Sequence, residues 1–146
     1  MELYNTNIIP AREDALWELP AGLPPLSGTQ LLVLSTPIDP NGPESITLGK
    51  MMTACRLNAS DYVTIQMEPG DNLPLRALIA AGAPARILLL GISPAQLSIN
   101  ALFQHNHCNT FLGCTIIAGY ALELIEQQPG LKRELWEQGL KPCFGL

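Results

Sequence analysis

The chain predicts a three-layer α/β/α domain on a four-stranded parallel sheet, preceded by an N-terminal arm. Three observations carry this. Four short runs rich in apolar or β-forming residues, at 31–34, 62–65, 86–90 and 115–117, have the length and composition of strands in a buried sheet. Segments with helical spacing of apolar residues alternate with these runs. Such alternation closes as a parallel sheet with helices on both faces.

The elements follow in order. Residues 1–28 read as the arm, with Pro10, Pro20, Pro24 and Pro25 and one helix-like piece at 11–19. The Pro24-Pro25 pair favours an extended path into the domain, residues 29–146. The first strand at 31–34 runs into a turn-rich loop holding Pro37, Asp39, Pro40, Asn41, Gly42 and Pro43. Ile46, Leu48, Met51, Met52 and Cys55 give residues 45–57 a helical period, with Ser45 as N-cap. The β-formers of residues 62–65 make the second strand. Asp71 or Asn72 caps the next helix, which has Pro74 in its first turn and stops at Gly82. The third strand, 86–90, ends at Gly91. Ser93-Pro94 opens a helical segment through about Phe103, and 104–109 reads as an ordered loop. After the fourth strand come helices at about 120–127 and 130–139, with Trp136 in the core beside Leu131, Leu135 and Leu140.

Composition narrows the function. The chain has 146 residues, which suits one domain, and 47% of them are hydrophobic, enough for a sizeable core. Net charge is −5 with only eight Lys and Arg, which argues against strong autonomous binding to nucleic acid. Cys55, Cys108, Cys114 and Cys143 include no CxxC, so neither a zinc ribbon nor a disulfide framework is expected, and a reducing cytoplasmic setting is. The N-terminus lacks the layout of a signal peptide. The most apolar region, 73–92, is broken by Arg76, Pro84 and Arg86, so no membrane span is expected.

Parallel sheets carry functional loops at the carboxyl ends of their strands. Here those are 35–42, 66–73, 91–96 and 118–121. Asp39 is placed for a general base, although its proline-rich setting favours a local turn hydrogen bond. Neither a G-x-G-x-x-G loop nor a Walker lysine pattern occurs. His105, His107 and Cys108 are potential metal ligands, but no distant pair completes a set, so no metal or cofactor is expected. In the arm, Leu16, Trp17 and Leu19 form either a strap on the domain or a docking segment for a partner.

Several of these marks resemble the uracil-DNA glycosylase superfamily. Residues 31–34 match its first strand, Leu90-Gly91 its third strand and glycine, and Pro129, Lys132 and Trp136 its closing helix. The resemblance implies a four-stranded parallel sheet and a pocket around Ser35, Pro37, Asp39 and Tyr120. It also implies a vestigial pocket. Ser35 stands where the family keeps its water-activating Glu, and Tyr120 or Ala121 where it keeps the His that stabilises the departing uracil anion. The iron–sulfur cysteines of the family are missing as well.

Three runs are similar to the psi-subunit family of the bacterial DNA polymerase III holoenzyme, itself a degenerate glycosylase domain with an arm. They are residues 51–63, the triplet His107-Cys108-Asn109, and residues 121–138 with Leu135-Trp136-Glu137-Gln138. This resemblance implies a non-catalytic replisome adaptor. Its arm, here with Leu16, Trp17 and Leu19, docks on clamp-loader subunits. Its domain binds a chi-like protein and so reaches single-strand binding protein. The alternatives are a divergent glycosylase-type repair enzyme using Asp39 and a small-molecule-binding α/β module.

Overall fold

A computed structural model describes residues 25–146. The arm residues Leu16, Trp17 and Leu19 lie outside the described residues. Leu26, assigned to the arm from sequence, is buried in the core, and the Thr29 hydroxyl donates to its carbonyl at 2.6 Å.

The expected strands form. They are β1 (Leu31–Ser35), β2 (Tyr62–Gln66), β3 (Arg86–Leu90) and β5 (Cys114–Gly119). β1 is buried at every position, and β3 at every position after Arg86, because apolar side chains project alternately to two covered faces. Between β3 and β5 lies a further strand, β4 (Cys108–Phe111). The sheet order is β2-β1-β3-β5-β4, and β4 runs antiparallel to β5.

The sheet is therefore mixed and five-stranded, which corrects the expected four-stranded parallel one. The missed element is a β-hairpin. Its two-residue turn, Leu112-Gly113, has φ of 51° and 78°, the left-handed pair that matches hairpin twist. Leu is a poor residue for such a position, and that hid the turn in the sequence. The segment 104–109 accordingly contributes its last two residues to an edge strand.

Helix α1 (Pro43–Ala54) starts at the N-cap Gly42, not at Ser45, because the fixed φ of Pro43 suits a first helical turn. It ends with Arg56 at φ 64°, where Arg56 N donates to Thr53 O and Leu57 N to Met52 O, the left-handed closure of a Schellman motif. Helix α2 (Leu75–Ala80) closes the same way on Gly82, as expected, but its N-cap is Pro74. Asp71 instead takes the Glu68 N–H on its carboxylate. After β3, a single 3₁₀ turn (Pro94–Leu97) replaces the expected longer helix. Ser93 and Gln96 form a capping box on it, and Ser98 ends it in a left-handed conformation.

The chain closes with α3 (Leu122–Gln127), α4 (Pro129–Leu135), a π-turn (Trp136–Leu140) and α5 (Lys141–Cys143). The π-turn forms where Gly139 lies against Asn106; a Cβ there would sit 2.6 Å from the Asn106 carbonyl oxygen. Trp136, expected in the core, is only half-buried.

The connections β1–β2 and β2–β3 cross the sheet in opposite directions. Right-handed crossovers then set α1 and α2 on opposite faces. Two buried clusters show this. Leu31, Val33, Leu88, Leu90 and Ile117 meet α1, α3 and α4 on one face. Leu32, Leu34, Ile87, Leu89 and Ile116 meet α2 and the 3₁₀ turn on the other. Thr47 of α1 donates its hydroxyl to Glu126 of α3, tying those two helices together. Among the described residues, no helix is long and apolar enough to cross a membrane.

Candidate functional site

In an open α/β sheet, the strands whose connections leave in opposite directions splay a crevice at their carboxyl ends, and ligands bind there. In this chain that place is between β1, which leads to β2 on one side, and β3, which leads to β4 on the other. The loops at this point touch. Thr36 N donates to Leu90 O at 3.2 Å, and Gly91 N to Gly119 O at 3.1 Å. Gly91 has φ 80°, and a Cβ on it would lie 2.8 Å from Ala121 Cβ and 3.1 Å from Thr36 Cγ2. The segments after β1, β3 and β5 thus come close together around Gly91.

The residues singled out from sequence take these positions. Ser35 is fully buried; its hydroxyl donates to Thr36 O at 2.7 Å and its carbonyl accepts from Met67 N at 2.7 Å. Pro37 and Asp39 are exposed. Asp39 Oδ1 accepts from Asn41 N at 2.9 Å, and its carbonyl accepts from Gly42 N at 2.9 Å. This is an Asx turn, the local role the proline-rich loop favours. Tyr120 stands just past β5 and stacks on His105, with centroids 4.6 Å apart and planes at 29°.

The His-Asn-His-Cys run is split. His105 is at the mouth of the sheet with Tyr120, Asn106 is 1% exposed, and Cys108 begins β4, its thiol donating to Gly139 O at 3.2 Å. The Asn109 amide donates to Gln104 O at 3.0 Å and His107 O at 2.9 Å, and its Oδ1 accepts from Gln104 N at 3.0 Å. Of the Asn and His side chains expected to satisfy backbone groups in this loop, Asn109 does so. Asn106 Nδ2 donates to Glu134 Oε2 at 2.9 Å, which pins the loop to α4. Among the described residues, no three His, Cys, Asp or Glu side chains are grouped to hold a metal ion.

Beside the stack, a cleft of about 470 Å³ opens over the ends of β3 and β5. Its walls include Ser93, Ala95, Leu102, Phe103, His105 and Ala118. Leu102 is entirely exposed. Sequence reasoning missed it by extending the helix to Phe103; Ser98 and Asn100, both common in turns, were the available signal. No protein-family model matches this chain, and neither does any curated protein sequence.

Proposed function

We propose that this protein is a non-catalytic adaptor that joins other proteins through its arm and its folded domain. The observation that carries this is the close approach of Thr36 and Ala121 to Gly91, which leaves no room even for a Cβ beside the switch point. Ser35 and Asp39 support it, since both spend their side chains on neighbouring backbone. Leu102 and the His105–Tyr120 stack add exposed apolar and aromatic surface, of the kind enriched at protein contacts.

The resemblance to the psi family directs the choice of partners: clamp-loader subunits for Leu16, Trp17 and Leu19, and a chi-like protein for the domain. On this reading the domain is a degenerate glycosylase-like fold, and contact with single-strand binding protein is indirect. The test is co-purification with clamp-loader and chi-like proteins from the native cell. The wild-type chain retains them, and the triple substitution Leu16→Ala, Trp17→Ala, Leu19→Ala loses the clamp loader while the domain stays folded. Recovery of no replication protein by the wild-type chain overturns the assignment.

The cleft beside Leu102 favours a second reading, a small-molecule-binding module, because its volume lies in the usual range for ligand pockets. A ligand screen by thermal shift separates the two, since a ligand of the native state raises its stability. The repair-enzyme alternative predicts base release from DNA containing uracil or hypoxanthine, lost on Asp39→Ala.

A further inference from the structure

A groove of about 300 Å³ runs between α1 and the end of α4, on the sheet face opposite α2. Its floor is Met51 and Leu140, both buried; its walls are Ala54 and the half-buried Trp136. Lys50 and Lys132 stand on its two rims, and both are exposed. Ile46, one turn before Lys50 on α1, is 59% exposed and continues the apolar surface.

Two features of this groove point to a ligand. The first is charge. The protein is acidic, with thirteen Asp and Glu against eight Lys and Arg, yet this apolar groove is flanked by two ammonium groups. Among the described residues, neither Lys50 nor Lys132 forms an ion pair. The second is the π-turn at Trp136–Leu140, which opens the helix along the groove wall. Such insertions concentrate at functional sites.

We propose that this groove docks an acidic peptide segment of a partner protein, with one apolar side chain inserted between Trp136 and Ala54 and carboxylates on either side facing Lys50 and Lys132. The apolar anchor supplies the buried area, and the flanking charges select acidic over basic sequences. The inference rests on this surface alone and not on the replisome assignment, so each can fail without the other.

The experiment uses the full chain and a fluorescein-labelled peptide of aspartates around one central phenylalanine. Anisotropy rises and saturates with this peptide and weakens with added salt, as screened charges require. Replacing the phenylalanine by serine, or the aspartates by lysines, removes the signal. The double variant Lys50→Glu, Lys132→Glu changes only exposed side chains and weakens binding by about tenfold or more; Lys50→Gln, Lys132→Gln falls between. No anisotropy change with the acidic peptide, equal binding of the basic one, or an unchanged affinity in the charge-reversed variant overturns the proposal. So does sedimentation as a dimer that Ala54→Glu dissociates, since a second copy would then cover the groove.

Discussion

The imidazole of His105 lies against the ring of Tyr120, with 4.6 Å between centroids and 29° between planes. This contact joins the loop before β4 to the loop after β5 at the mouth of the sheet. Offset aromatic pairs contribute about 0.5–1.5 kcal/mol beyond the area they bury. Tyr120→Ala is expected to lose about that much in urea unfolding, whereas Tyr120→Phe keeps the ring and stays within about 0.5 kcal/mol of wild type. Equal losses in the two variants would mean that the hydroxyl, not the stack, matters.

Gly91 tolerates no side chain. Its φ of 80° strains any other residue, and an added Cβ would meet Ala121 at 2.8 Å. Left-handed strain and overpacking together cost about 2–4 kcal/mol. Gly91→Ala therefore lowers the thermal midpoint by several degrees. Gly130, with nothing within 4 Å of its Cβ position, is the control, because Ala there is neutral or slightly stabilising in a helix.

Leu112 makes the opposite case. It occupies the first position of the Leu112-Gly113 turn at φ 51° and is 47% exposed. Asn favours that conformation and Leu does not. Leu112→Asn should raise stability by about 0.5–1 kcal/mol in denaturant titration. A loss would show that Leu112 packs in a way its exposure does not suggest.

Burial pushes the Cys55 thiol from 9.0 up to about 11, with Cys143 beside it adding to the shift. The group is neutral when protonated, and its native pKa is raised. Its contribution to stability is thus fully present below pH 9.0 and is lost as pH rises towards about 11. Between those values the unfolded chain sheds the proton and the native one holds it. Chemical denaturation across this window should show stability falling with a slope on the order of 1 kcal/mol per pH unit. A slope of unchanged size in Cys55→Ala would assign it elsewhere. The same protonation makes Cys55 slow to alkylate in the native state at neutral pH.

The strands at 31–34, 86–90 and 115–117 were legible because a doubly covered sheet demands short apolar runs, and the half-buried edge strand at 62–65 because its residues are β-formers. The Gly82 stop was legible because glycine tolerates the left-handed closure, which Gly82 adopts at φ 86°. Arg56 adopts the same closure at 64° with a residue type that gives no such sign. The Leu112 turn is the same failure with a larger consequence, since it concealed β4 and so the mixed character of the sheet. At the candidate site, the turn role of Asp39 followed from its neighbours Pro40, Asn41 and Gly42. The pairing of His105 with Tyr120 did not, because fourteen residues, including a hairpin, separate them.

The local chemistry of this chain thus decided four of the five strands, the helix stops at Gly82 and Gln127, and which loops gathered at the carboxyl end of the sheet. Periodicity and turn residues act over a few positions, and a single sequence displays them. Only the tertiary structure decided that Thr36 and Ala121 close in on Gly91, that Leu102 stands clear of the surface, and that Lys50 and Lys132 line one apolar groove. Those relationships depend on how separate elements pack, and packing is set by the whole core at once.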